Sequence, residues 1–119
     1  MSDKIKTGNL GEALAASFLE DQGYEIVARN FRFGRAEIDL IVKRDNWVLF
    51  IEVKTRASNE YGEPEDFVTV SQMNRIYNAA EEWIFATGWQ GDIRFDIITV
   101  KMGPGYDDAV IEHHEDAIN

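Results

Sequence analysis

Apolar positions along this 119-residue chain follow two periods. A helical period governs two stretches. In the first, Leu10, Ala13, Leu14, Ser17 and Phe18 predict a helix over about 7–22, which Gly23 ends from the position just past the last turn. In the second, Val70, Met73, Ile76, Tyr77, Ala80, Trp83 and Ile84 form one stripe. That stripe predicts a helix capped near Ser71 and ended by Gly88. The remaining apolar runs are short and rich in β-branched and aromatic residues, as strands are. They cover 24–31, about 37–44, about 47–55 and 92–101. Asp45-Asn46 reads as a tight hairpin, "FGR" (33–35) as a turn and 56–67 as a polar loop. "GPG" (103–105) breaks the chain, and 103–119 reads as an acidic C-terminal extension whose "AVIEHH" predicts a short edge strand. The order α-β-β-β-α-β, without a repeat, predicts one α/β domain over 1–119. It has a central mixed sheet flanked by helices on both faces.

The hairpin interrupts its own pattern. In "AEIDLIVKRDNWVLFIEVKTR" (36–56) carboxylates stand inside apolar runs. If Asp45-Asn46 is the loop, Arg44 faces Trp47, and every facing pair has numbers summing to 91. Asp39 then opposes Glu52, and Glu37 opposes Lys54. Alternation puts these four on one face, and Ile38, Leu40, Ile51 and Val53 on the other, as core. Glu37 with Lys54 is a favourable pair, but Asp39 with Glu52 is not. Two carboxylates about 5 Å apart repel by roughly 3 kcal/mol at an effective dielectric of 20. One reading is a solvated polar face. The other is a divalent cation, which reverses the sign and takes oxygen ligands. The second predicts Asp39 and Glu52 as ligands of Mg²⁺ or Mn²⁺. Lys54, beside the ion, would stabilise charge developing on a phosphate.

Charge sharpens this picture. The net charge is −10, which counts against nucleic acid as a partner. Its distribution is uneven: residues 1–56 carry nine acidic and nine basic side chains, and residues 57–119 carry thirteen acidic against three basic. The basic residues of the first half include Arg29, Arg32, Arg35, Lys43, Arg44, Lys54 and Arg56, all near the hairpin. A local patch decides whether a phosphate backbone docks, so Arg32, Arg35 and Arg56 are candidate nucleic-acid contacts. The acidic half is equally read as plain solubility. The absence of cysteine excludes disulfides and thiolate metal sites, and fits a cytoplasmic protein. The N-terminus has no apolar stretch of a signal peptide, and no run reaches membrane-spanning length, so no membrane partner is expected.

Asp39 followed by "EVK" (52–54) resembles the PD-(D/E)xK nuclease signature. The wider series "GNLGEALAASFLEDQGYEIVARNFR", "AEIDLIV", "LFIEVKTR", "YGEPEDFVT", "RIYNAA", "RFDIITV" and "IEHHEDAI" resembles, in order, the YraN-like family of small bacterial proteins. That resemblance covers about 8–118. It implies a restriction-endonuclease-like fold related to Holliday-junction resolvases, and a metal-dependent nuclease acting on DNA, with branched DNA one substrate. A two-fold homodimer would suit such a substrate. The rival implied by the fold is a non-catalytic module that binds nucleic acid or protein. Spacing leaves Glu12 between a first-turn helix carboxylate and a site residue. The resemblance selects the site, making Glu12 a third metal ligand beside Asp39 and Glu52. Glu37 and Arg56 are second-line candidates. Two positions depart from the family pattern: Ala36 replaces a usual Gly, and Gln72 a usual Lys. Arg94 and Asp96 read as a structural pair or a wall of the site. His113-His114 is a poor shared metal site, because neighbours on a strand point to opposite faces. Trp47, Trp83 and Trp89 are candidates to stack on bases, with Trp83 expected in the core and Trp89 at the surface.

Overall fold

A computed structural model describes residues 3–57, 68–103 and 109–118, with side chains from residue 9 in the first segment and up to 56 in it. The elements are α1 (Asp3–Asp21), β1 (Glu25–Phe33), β2 (Ala36–Arg44), β3 (Trp47–Ala57), α2 (Val70–Thr87), β4 (Asp92–Met102) and β5 (Val110–His114). The expected polar loop falls, from residue 58 on, outside the described residues, as do positions 104 and 105 of "GPG".

The strands form one sheet in the order β1-β2-β3-β4-β5. β1 pairs antiparallel with β2 and β2 with β3, β3 and β4 pair in parallel across the α2 connection, and β5 returns antiparallel on β4. The sheet is therefore mixed, as expected. One core joins the sheet to α1 through Ala15, Ala16, Leu19, Leu40, Val42, Leu49, Ile51, Ile98 and Val100. The other joins it to α2 through Ile38, Ile41, Val48, Phe50, Ile76, Ala79, Ala80 and Ile97. A helix covers each face, and this architecture is compatible with a restriction-endonuclease-like fold.

The ends of the elements follow from local chemistry. Gly23 and Gly88 take positive φ, 91° and 71°, as helix-ending residues do. The cap of α2 is Thr69 rather than Ser71: its side chain accepts from the Gln72 N–H at 3.0 Å. Asp45 turns the hairpin with φ 56°, so Arg44 pairs with Trp47. After β5 the chain folds back, and Ile118 is buried in the α2-side core. Its N–H reaches the Phe95 carbonyl, and its own carbonyl accepts from the Tyr77 hydroxyl at 2.8 Å.

Gly11 fixes how α1 meets the sheet. It is buried, and a Cβ there would collide with the Thr55 hydroxyl on β3. Gly11→Ala is expected to destabilise the fold by about 1–3 kcal/mol, because α1 must lift from β3 or Thr55 must move. Chemical denaturation compared with wild type measures it, and an unchanged midpoint would show that the helix slides freely.

Candidate active site

The β2–β3 ladder keeps the sum of 91 from Arg44–Trp47 to Leu40–Ile51 and stops there. At the next position the side chain of Asp39 takes over from the backbone: its Oδ2 accepts the Val53 N–H at 2.8 Å. On the other side of β2, the ladder with β1 pairs Arg29 with Leu40 and Phe31 with Ile38, and skips Asn30 and Asp39. Asn30 there has φ 50°, a left-handed conformation that asparagine tolerates. Both strands change face at this point. Ile38 and Leu40, expected on one face by strict alternation, pack in opposite cores. That corrects the expected core face: Leu40, Ile51 and Val53 share it, and Ile38 does not.

The carboxylates gather where the strands part. Asp39 and Glu52 are within hydrogen-bonding reach of one another, and Glu52 is only 6% exposed. Gln72, in the first turn of α2, donates its Nε2 to Glu52 Oε2 at 2.6 Å. The second expected pair is different. Glu37 is not matched with Lys54 in the ladder; it meets Arg32 on β1, 3.3 Å from its guanidinium, and accepts from Asn30 at 2.8 Å. Glu12, from α1, also accepts from Asn30, at 3.0 Å.

These groups line one pocket of about 610 Å³. Its walls include Glu12, Arg35, Glu37, Asp39, Glu52, Val53, Lys54, Gln72 and Arg75. Four predicted site residues, Glu12, Asp39, Glu52 and Lys54, are thus brought together. Of the predicted phosphate contacts only Arg35 joins them. Arg32 is engaged with Glu37, and Arg56 donates to the Thr55 carbonyl at 2.9 Å. Lys43 and Arg44 lie at the hairpin end of the strands, over the Trp89 and Tyr24 rings. The basic residues near the hairpin therefore do not make a single patch. Sequence reasoning missed Arg75, which sits three residues beyond Gln72 on the same helical face. It missed Asn30 as well, whose signal was only an asparagine inside a strand.

Electrostatics set the state of the pair. Burial, the hydrogen bond with Glu52 and the Glu52 charge together raise the Asp39 pKa to about 9, against the pull of the Val53 N–H. Glu12 is raised as well, chiefly by burial and also by the charges of Asp39 and Glu37, with Asn30 opposing. A carboxyl raised that far is protonated at neutral pH, so Asp39 can donate to Glu52.

Does this set fit a hard divalent cation? The donors are all oxygen, and two acidic groups already touch, so an ion would replace the shared proton and cancel the repulsion. Glu12 stands apart from that contact. Among the described residues, no three His, Cys, Asp or Glu groups are gathered closely enough to hold a metal. An ion such as Mg²⁺, commonly held by one or two carboxylates and several waters, fits the pair as it stands.

The other candidates have structural partners. Asp96, with no exposure, accepts from Arg94 at 2.9 and 3.0 Å, from the Asp116 N–H at 2.9 Å and from His113 at 2.7 Å. His114 turns elsewhere, to the Thr99 hydroxyl at 3.0 Å, so the two histidines bind separate groups as expected. Trp83 packs edge-on against Phe50, as expected of a core residue. Trp89, expected at the surface, is partly buried and donates to the Asp92 carbonyl. None of the tryptophans lines the carboxylate pocket.

An α/β domain with a mixed sheet, a helix on each face and an acidic pocket where two central strands part is the class this geometry defines. The chain belongs to the uncharacterised protein family UPF0102, whose profile matches residues 11–100. Similar proteins include a UPF0102 protein of Cytophaga hutchinsonii, 47% identical over 98 residues, covering 82% of this chain and 87% of its own. One from Chlorobium chlorochromatii is 42% identical over 114 residues, 92% and 88% of the two chains. One from Rhodococcus jostii is 41% identical over 119 residues, 98% and 99%. Among the described residues, no helix is long and apolar enough to cross a membrane.

Proposed function

We propose that this protein is a divalent-metal-dependent, nuclease-like phosphodiesterase acting on nucleic acid, with DNA the substrate to test first. The observation that carries the reading is the buried contact between Asp39 and Glu52 in a pocket that also holds Lys54. Asp39 and Glu52 would hold Mg²⁺ or Mn²⁺, with Glu12 the third carboxylate at hand. The ion would supply Lewis-acid polarisation of a phosphoryl oxygen and a lowered pKa for a water. Lys54 contributes a fixed positive charge for the negative charge that builds on the phosphate as the bond breaks. Arg35 and Arg75, on the pocket wall, bind and orient neighbouring phosphates. With Asp39 protonated the lining has three charged carboxylates against three cations, so a divalent ion that displaces the proton turns it from net 0 to net +1. Nucleic-acid binding should therefore depend on the ion.

The test is a panel of labelled linear, flapped and four-way-junction DNA incubated with Mn²⁺. Metal-dependent cleavage is expected, lost in Asp39→Asn. Lys54→Ala should lower cleavage by about 10²-fold or more while sparing Mn²⁺ binding. Cleavage that survives Asp39→Asn would place the activity elsewhere.

One observation favours a second reading, a non-catalytic binding module. Gln72 donates directly to Glu52, in a position where the resemblance implies a lysine. Salt dependence of DNA binding in Mg²⁺ bears on both readings. Replacing Arg35 and Arg75 together by Ala should flatten the log–log slope by nearly two units, one per phosphate contact. Replacing Arg32 and Arg56 should change it less, since each already serves an internal acceptor. Equal slopes in all three proteins would exclude the pocket as the phosphate contact.

A further inference from the structure

Asn30 lies beside the pocket, bonded to two of its lining carboxylates, and has no part in the proposed chemistry. It occupies the left-handed position where β1 and β2 change face, directly beside Asp39 in the skipped part of the ladder. Its amide nitrogen donates to two carboxylates from different elements, Glu12 Oε1 on α1 at 3.0 Å and Glu37 Oε1 on β2 at 2.8 Å. Both amide hydrogens are thereby committed. The opposite orientation of the amide would set its oxygen against two carboxylate oxygens, so this orientation is fixed by its acceptors. Among the described residues Asn30 is the hydrogen-bond donor shown to Glu12, which comes from a helix on the far face of the sheet from α2. Without a donor, its charge would turn to water and away from Asp39 and Glu37.

We propose that Asn30 is a positioning residue of the metal site. Its side-chain amide holds Glu12 against the pocket, where that carboxylate would act through the waters of an ion held by Asp39 and Glu52, and its backbone conformation carries the face change that brings Asp39 to Glu52. The two tasks reside in different parts of one residue and are separable. Glycine keeps the left-handed backbone and deletes the tether. Aspartate keeps the shape but replaces the donor by a third carboxylate facing Glu12 and Glu37.

This inference rests on the metal reading of Asp39 and Glu52, and its test separates the two. Mn²⁺ binding is measured by calorimetry for wild type, Asn30→Gly, Asn30→Asp, Glu12→Gln, the double variant Asn30→Gly/Glu12→Gln, and Asp39→Asn, each with a melting curve as the folding control. Asn30→Gly is expected to melt close to wild type and to bind Mn²⁺ roughly 10- to 100-fold more weakly, the loss typical of groups that orient a metal ligand. Glu12→Gln should lose a similar factor. The double variant should be no weaker than Glu12→Gln alone, because the tether acts only through Glu12. Asn30→Asp should bind as weakly as Asn30→Gly or more so, since Glu12 is then repelled. A purely structural role would lower melting without this non-additivity. Unchanged affinity in folded Asn30→Gly, or losses that add in the double variant, overturns the positioning role while leaving the site standing. Absence of Mn²⁺ binding in wild type, or binding equal in Asp39→Asn, overturns the site and this inference together.

Discussion

In EDTA at pH 8, Asp39→Asn is expected to melt at or above wild type, and with Mn²⁺ only the wild type should gain. The native Asp39 carboxyl titrates near 9 because burial and Glu52 oppose its charge, whereas in the unfolded chain it titrates near the ordinary value of about 3.9. Between those values the native state binds a proton that the unfolded state lacks. Its contribution to stability is therefore complete below about pH 4 and is lost as pH rises toward 9. Asparagine cannot titrate. Its carbonyl can still accept the Val53 N–H and its amide can donate to Glu52, so the variant escapes that loss. Mn²⁺ competes with the same proton, so stabilisation of the wild type should grow from pH 6 to pH 8. At a free concentration of 100 times Kd it reaches about 2.7 kcal/mol. Equal metal shifts in the two proteins would return Asp39 and Glu52 to the role of ordinary polar groups.

Asp96→Asn is expected to cost about 3–5 kcal/mol, the largest loss of any single substitution named here. Burial works against the Asp96 charge, but the hydrogen bond from His113, the Arg94 guanidinium and the Asp116 N–H outweigh it, so its pKa is lowered. The sign is thus opposite to that of Asp39. The charged form contributes stability above the unfolded value of about 3.9, and this is lost as pH falls through the native value. Asparagine leaves Arg94 and His113 without the charge they were folded around, and it loosens the return of β5 and Ile118 onto the sheet. Urea unfolding at pH 7 should show a large drop in midpoint, shrinking as both proteins are acidified below pH 4. A drop that is the same at pH 3 and pH 7 would mean that shape, rather than charge, sets the cost.

How far the sequence reached is clearest at the hairpin. The loop at Asp45-Asn46 and the sum of 91 follow from turn chemistry and period two, and both hold from Arg44 to Leu40. Reasoning by parity requires an unbroken ladder, and the break lies at the acids themselves. Asp39 has room to reach Glu52 because its own carboxylate replaces a backbone acceptor for Val53. Nothing in a list of residue types announces that exchange, so Ile38 was put in the wrong core and Glu37 opposite Lys54. Glu12 entered by resemblance alone, since no local period connects a residue on α1 to one on β2. Arg75 is hidden in the sequence because it lies in the acidic half of the chain, where net charge is a poor guide to a single helical face. The extents of the helices are legible because glycine stops act within a few residues, but the α1 stripe is not: Leu10, Ala13 and Ser17 are exposed, and Ala15, Ala16 and Leu19 join Leu14 and Phe18 on the packed face.

The irregular course of β1 has a consequence for the molecule in a crowded solution. β1 is an edge of the sheet, and a long flat edge invites pairing with another chain. Here the register slips between Ile26 and Ala28, and Asn30 turns left-handed four residues further on than Ile26. Exposed Arg29 and Arg32 flank that turn. No neighbour can add a regular strand across two such breaks without leaving backbone groups unpaired, so the distortion that shapes the pocket also guards this edge against aggregation.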